Sequence, residues 1–253
     1  MRRHDRSVAG ALLGAAMVLA AGVAGAAEIK VMSSNPLREV IPALAQAFET
    51  ATGHTVTTIW GGTEAIAKRI ADGEASDIVL IAAPNIDRLI DAGRLLAGSR
   101  RDVAKSGVGV AVRAGAPRPD IASAEAVKRA VLAAESVMYS SGPSGFYVAE
   151  LLQKLGIADA VRHKVKQPPS GVQVGELVAR GEAALGFQQI SELVHVKGID
   201  YLGPLPAEIQ NVTVYSAGVH VAAREPAAAR ALIDFLLTPA AGAMIRRAGM
   251  EPG

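Results

Sequence analysis

The 253-residue chain contains no cysteine, which excludes a disulfide framework, a Cys-ligated metal site and a lipid-modified cysteine at the start of a mature chain. Aromatic residues amount to 4%, and the single Trp60, with Tyr147, Tyr201 and Tyr215, reads as packing material rather than as a set of stacking platforms. The five histidines (His4, His54, His163, His195 and His220) are scattered and form no H-E-x-x-H pair, so no metal and no cofactor is implied. A phosphate P-loop is absent, and "GPSGF" lacks the spacing of a G-x-S-x-G nucleophile elbow. An excess of one charge is missing as well. The 26 basic and 24 acidic residues become 23 and 23 once three Arg and one Asp in the first 26 residues are set aside. A neutral chain carries no nucleic-acid footprint.

What is present is apolar: half of the residues are hydrophobic, enough for one or two compact domains with a real core. The first 26 residues read as a leader, with "MRRHDR" as a basic start, "SVAGALLGAAMVLAAGVAG" as a small-residue apolar run and Ala24-Gly25-Ala26 as a cleavage pattern. Removal near Ala26 and export to the periplasm are the expectation. The alternative is an anchoring helix, because the run approaches the ~20 residues that span a bilayer. No later apolar run is that long.

Beyond the leader, strand-like and helix-like segments alternate. "EIKVMSS" is a short β run, after which Leu37, Val40, Ile41, Leu44 and Phe48 fall on one helical face closed by Gly53. "HTVTTIW" is β-rich, "GGTEAIAKRIADG" is a loop followed by a helix, and "SDIVLIA" is an uninterrupted apolar strand of the kind covered on both faces. The pattern continues with the strand "GVGVAVRAG", a helix through "AEAVKRAVLAA", the strand "SVMY", a helix from "GFYVAELLQK" stopped at Gly156, and the short strand "EAALGF". "VTVYSAGVHVA" reads as a long strand, and two helices split at Pro239 end the chain. Such alternation predicts an α/β fold with parallel-rich sheets and right-handed crossovers.

In such folds ligands lie beyond the carboxyl ends of strands, where helix N-termini present free amides and about half a unit of positive charge. The segments expected there are Ser33-Ser34-Asn35, Gly61-Gly62-Thr63, Ser140 to Gly145, Ser170-Gly171 and Gln188-Gln189. "SSGPSGFY" is uncharged, yet it can cradle an oxyanion through the amides of Ser144 and Gly145 and the Ser140 or Ser141 hydroxyl. Equally, Ser and Gly can simply cap a helix and make a turn. If an amide of this loop holds the anion, Gly145→Pro should delete one donor and leave the helix standing, since proline is tolerated in a first turn.

The stretches "KVMSSNPLREVIPALAQAFETATGHTV", "GGTEAIAKRIADGEASDIVLIA", "GPSGFYVAELLQKLGI", "VARGEAALGF" and "AAARALIDFLLTPAAGAMIRRAGMEP" together resemble the periplasmic molybdate-binding proteins of ABC importers over nearly the whole chain after the leader. The resemblance implies a two-lobed periplasmic-binding-protein fold with two hinge crossings: residues 27–106 plus 213–253 as one lobe and 107–212 as the other. It further implies a monomeric solute-binding protein that captures a small anion between the lobes and delivers it to the membrane subunits of an importer. Carried onto this chain, the ligand-binding positions are Ser33, Ser34, Asn35, Gly62, Thr63, Ser140, Ser144, Gly145, Gly171, Gln188 and Gln189. The chain departs from the family's pattern at Pro36, at "GGTEA" and at Gln189. Glu64 is the sharpest departure, because a carboxylate facing a dianion at 4 Å would oppose binding by about 4 kcal/mol or more. The same helical position can instead point to solvent, where a first-turn carboxylate favours the helix dipole. Aconitate isomerase is similar in fold to this family, and an enzyme of that type is the alternative, with Glu64 as the base of an allylic proton shift.

Overall fold

The computed structural model describes residues 25–253; the leader and its cleavage, apart from Gly25 and Ala26, lie outside the described residues. In chain order the elements are β1 (Glu28–Ser34), α1 (Ile41–Thr52), β2 (Thr55–Gly61), α2 (Thr63–Ala71), β3 (Ile78–Ala82), α3 (Ala83–Asp91), β4 (Arg101–Arg113), α4 (Ala124–Ala133), β5 (Val137–Tyr139), α5 (Pro143–Lys154), α6 (Ala158–Val161), β6 (Val165–Lys166), α7 (Val174–Ala179), β7 (Leu185–Gln189), α8 (Ile190–Leu193), β8 (Ile199–Pro204), β9 (Val212–Val219), α9 (Pro226–Leu236), α10 (Pro239–Arg247) and β10 (Glu251–Pro252).

The apolar face read from Leu37 to Phe48 is buried throughout, but the helix that carries its later part begins only at Ile41. Proline explains the late start. Pro42 has no N–H to give to Arg38 and its ring would press on that carbonyl, so the chain makes a 3-10 turn over Asn35–Leu37 first. The helix ends where expected, at Gly53 with φ +76°, a conformation a Cβ would strain.

β2, β1 and β3 pair in parallel, as do β6, β5 and β7. Between these two parallel groups run the long antiparallel strands. β9 pairs with β3, and β4 pairs with β9 over Arg101–Gly107 and then with β7 and β8 over Val108–Arg113. One strand thus passes from one sheet into the other at Gly107. The cores divide at the same place. Two clusters draw on residues 27–104 and 215–250, centred on Ile29, Phe48 and Tyr215 and on Ile66, Ile70 and Ile81. The other two draw only on residues between 108 and 205, around Val110, Leu151 and Phe187 and around Met138 and Val178. A two-lobed fold with two hinge strands follows from this arrangement.

The Gln210 side chain clasps the crossing. Its Oε1 accepts from the Val108 amide (2.8 Å) and its Nε2 donates to the carbonyls of Val108 (3.0 Å) and Leu205 (3.2 Å). A side chain at Gly107 would meet that amide group. Glycine is therefore set where the clasp closes.

Candidate ligand cleft

The ends of β1, β2, β5 and β7 meet at a narrow cleft between the lobes. Asn35, Pro36, Gly62 and Thr63 line it from one side, and Ser140 to Ser144, Ser170 to Val172, Gln188, Gln189 and Glu192 from the other, with Tyr215 of β9 at its floor. The cavity is about 40 Å³, room for a few waters or for one carboxylate or compact oxyanion. Two features hold the lobes together over it. Asn35 Nδ2 donates to the Gly171 carbonyl (2.9 Å), and Gly62 abuts Ser170 so closely that a Cβ on Gly62 would overlap its hydroxyl.

The "SSGPSGFY" loop is built around Ser140. Its Oγ lies 3.0 Å from Ser144 Oγ and accepts from the Gly142 amide at 3.4 Å, while its carbonyl accepts from Gln167 Nε2 at 3.0 Å. α5 then starts with Pro143, and its first intrahelical bond from this end is Phe146 N–H to the Gly142 carbonyl. The amides of Ser144 and Gly145 are left without an intrahelical acceptor. α2 begins in the same way after Gly62, with the Ile66 amide bonded to the Gly62 carbonyl and the amides before it free.

The expected site residues do not all reach this cavity. Asn35, Gly62, Thr63, Ser140, Ser144, Gly171, Gln188 and Gln189 line it. Ser33 and Ser34 do not: they are the last residues of β1, wholly buried, with hydroxyls that find no partner among the described residues. Gly145 lies behind the lining, where a Cβ would overlap the Ser140 carbonyl oxygen. The expectation that Gly145→Pro deletes one donor and spares the helix is therefore corrected, since any side chain at 145 collides with backbone. Gln188 and Gln189 end β7 rather than forming a loop. Each anchors something. Gln188 Oε1 accepts from the Gly175 amide at 3.0 Å. The orientation of the Gln189 amide that satisfies all its neighbours has Nε2 donating to the Ser106 carbonyl (2.9 Å) and Oε1 accepting from Thr213 Oγ1 (2.9 Å) and Tyr215 OH (3.2 Å), so the β7 end is tied to both hinge strands.

Glu64 is outside the cleft. Its carboxylate accepts from Asn85 Nδ2 at 3.0 Å and pairs with Arg88 at 3.4 Å on the outer surface of α2 and α3. It opposes nothing in the cavity and can abstract nothing there. The carboxylate that does line the cavity is Glu192 on α8, which reading of the sequence missed. It is 9% exposed. Burial pushes its carboxyl up to about 8, offset in part by the Gln188 amide and by the charge of Arg38. Among the described residues no ion pair includes it, and no Lys or Arg lines the inner cavity. Burial likewise holds the Tyr215 hydroxyl well above its ordinary range, with the Glu192 charge adding to the effect. Ser141 and Ser170, within the segments expected at the strand ends, line the cavity as well, whereas Pro36, Val172 and Tyr215 were not among the expected ligand positions. Only Glu192 had a sequence signal, a carboxylate three residues beyond a strand end.

Outside the Asn35–Gly171 bridge lies a wider groove of about 740 Å³, which shares Asn35, Gly171, Val172 and Glu192 with the inner cavity and adds Arg38, Glu39, Glu176, Arg180, His195 and Lys197. Arg38 is anchored by Asn35 Oδ1 (3.3 Å) and lies 5.2 Å from the Trp60 ring centre. Glu192 borders both spaces.

A two-lobed α/β molecule with an uncharged, amide-rich cleft at its strand ends belongs to the class of periplasmic binding proteins. Residues 29–251 match the model of the bacterial extracellular solute-binding protein family, and the chain is a member of that family. Among its relatives, an aconitate isomerase from a Pseudomonas species is 36% identical over 230 residues, 88% of this chain and 87% of that one. The molybdate-binding protein ModA of Azotobacter vinelandii is 29% identical over 243 residues, 94% of either chain. The solved structure of the Azotobacter vinelandii periplasmic molybdate-binding protein superposes with a TM-score of 0.75 at 23% identity, covering 88% of this chain and 98% of that one.

Proposed function

We propose that the protein is a periplasmic solute-binding protein that captures a small anion in the interlobe cleft and delivers it, as a monomer, to the membrane subunits of an ABC importer. The observation that carries this reading is the convergence of five uncharged segments, from both sides of the hinge, on one small cavity with free helix-start amides. Family membership and the molybdate-binding relatives support it. The lobes we assign are residues 27–106 plus 213–253 and residues 107–212, a division suggested by the separate cores. Export follows from the leader, with cleavage near Ala26.

A thermal-shift screen across tetrahedral oxyanions and di- and tricarboxylates tests the reading. A ligand at 100 times its Kd stabilises by about 2.7 kcal/mol if it binds only the folded state. Failure of every small anion to shift the transition would end it.

One observation favours a second reading. The 36% identical relative is an isomerase of aconitate, and Glu192 is a cleft carboxylate whose proton is held to near neutral pH, where acid and base forms interconvert readily. In that reading Glu192 takes a proton from the allylic carbon, the double bond shifts, and the proton returns at the far end of the allyl unit. One carboxylate would lie in the inner cavity and the others in the outer groove near Arg38 and Lys197. Glu64 has no part in it. Incubation with trans-aconitate, followed by chromatography of the isomers, decides: turnover that vanishes in Glu192→Gln supports it, and absence of turnover leaves a binding protein.

A further inference from the structure

Resting on the anion-binding reading, we propose that Glu192 is the specificity-determining residue of the cleft, and that every anion bound there shares one proton with it. The ligand class is thus narrower than "small anion". It comprises oxyanions and organic acids that either keep a hydrogen of their own or meet a protonated Glu192.

The geometry behind this is simple. All other residues lining the inner cavity are uncharged, and their amides and hydroxyls can donate to an anion. Glu192 is nine-tenths buried at the border of that cavity and has no salt-bridge partner among the described residues. Were it ionised beside a fully ionised ligand oxygen about 4 Å away, the repulsion at an effective dielectric of 20 would weaken binding about a thousandfold. A single shared proton turns that repulsion into a hydrogen bond. It can arrive on the ligand, as in hydrogen phosphate, with Glu192 as acceptor. It can also already sit on Glu192, which then donates to sulfate or to a fully ionised carboxylate. Burial, which keeps the empty carboxyl protonated to about pH 8, prepares the second case. The charged and titratable groups bordering Glu192 are Arg38 from the turn after β1, Tyr215 from β9, and, in the outer groove, Glu39, Glu176 and Arg180 of α7 and its end, His195 and Lys197. Of these, Arg38 favours the ionised form and Tyr215 remains neutral across the range considered.

The test is isothermal titration calorimetry of the full mature chain between pH 6 and 9.5. Sulfate, molybdate and trans-aconitate serve as probes without a hydrogen above pH 7, and phosphate as the probe that keeps one. Each is titrated in two buffers of different ionisation heat. For the ionised probes, affinity should fall about tenfold per pH unit above pH 8, with uptake of one proton per anion bound at pH 9. Phosphate should show neither effect. Glu192→Gln, whose amide donates at every pH, should flatten the profile of the ionised probes, and His195→Gln should leave it in place. A pH-independent affinity of the wild-type protein for an ionised probe would overturn the shared-proton proposal while sparing the anion-binding reading. A pH dependence that disappears with His195→Gln would overturn it too. If none of the four anions binds at any pH, the anion-binding reading fails and the proposal with it. The wild-type profile alone decides, even if Glu192→Gln fails to fold.

Discussion

Glu64 and Glu192 stand in equivalent local settings, each in the first turn of a helix that follows a strand with at most one residue between. Their surroundings separate them. α2 exposes its first turn to α3, which supplies Asn85 and Arg88, and the Glu64 side chain remains 44% accessible. α8 is laid against β4 and the turn after β1, and Glu192 is buried where the inner cavity and the outer groove meet. Glu64 is ion-paired at the surface, whereas Glu192 forms no ion pair among the described residues and its burial outweighs the charge of Arg38, so its carboxyl becomes a store for one proton. Tertiary cover, not helical position, decides which of the two carries chemistry.

The largest expected effect of breaking this contrast is on stability. Folded Glu192 keeps its proton to about pH 8, whereas an unfolded Glu releases it near 4.3. Between those values the folded chain binds more protons, so rising pH lowers stability across that window and has no further effect above it. Glu192→Gln removes the penalty. The variant should be more stable than the wild type by on the order of 5 kcal/mol at pH 9 and equal to it at pH 4, as read from urea unfolding.

A smaller effect comes from the partner. Gln188→Met leaves the buried Gly175 amide without its acceptor and withdraws the amide that eases ionisation of Glu192. Stability at pH 5 should drop by about 2 kcal/mol, and the pH at which the wild-type decline levels off should move upward. Arg38→Gln tests the long-range part alone. It should raise that same pH by less than about one unit, and less still in high salt, because Arg38 acts through charge across a solvated groove. Smallest of all is Glu64→Gln. Surface pairs such as Glu64–Arg88 contribute little, so stability should change by no more than about 0.5 kcal/mol and anion affinity by less than twofold. A tenfold loss of affinity in that variant would return Glu64 to the cleft.

The main elements were legible because they carry strong local signals: the five-residue apolar strand at Ile78–Ala82, the Leu37 to Phe48 face, the Gly53 and Gly156 stops, the break at Pro239. α3, α7 and β8 were not anticipated. β8, "IDYLGP", alternates no apolar face and is only partly buried along its length; it exists because β4 offers it an edge. In the cleft, the loops with Gly, Ser and Asn announced themselves by composition, and eight of the eleven expected ligand positions line the cavity. Ser33, Ser34 and Gly145 belong to the same stretches, but the two serines are wholly buried at the end of β1 and Gly145 is pressed against the Ser140 carbonyl behind the lining. Glu192 was missed for the opposite reason. Its one local mark, a carboxylate three residues past a strand end, is shared with many surface residues, and its meaning comes from Asn35, Gly171 and Tyr215, contributed by chain segments more than twenty residues away.

Gly62 meets Ser170 with no space for one carbon between them. The contact acts as a mechanical end-stop: how far the lobes can shut is set by the Gly62 backbone meeting the Ser170 hydroxyl, not by the guest between them. Whatever anion is enclosed, the outer face of the shut molecule is then the same, and a membrane partner that reads that face learns that the cleft is occupied but not by what. Discrimination among anions must therefore take place before closure, inside the cleft, in the fraction of encounters that end with the stop engaged.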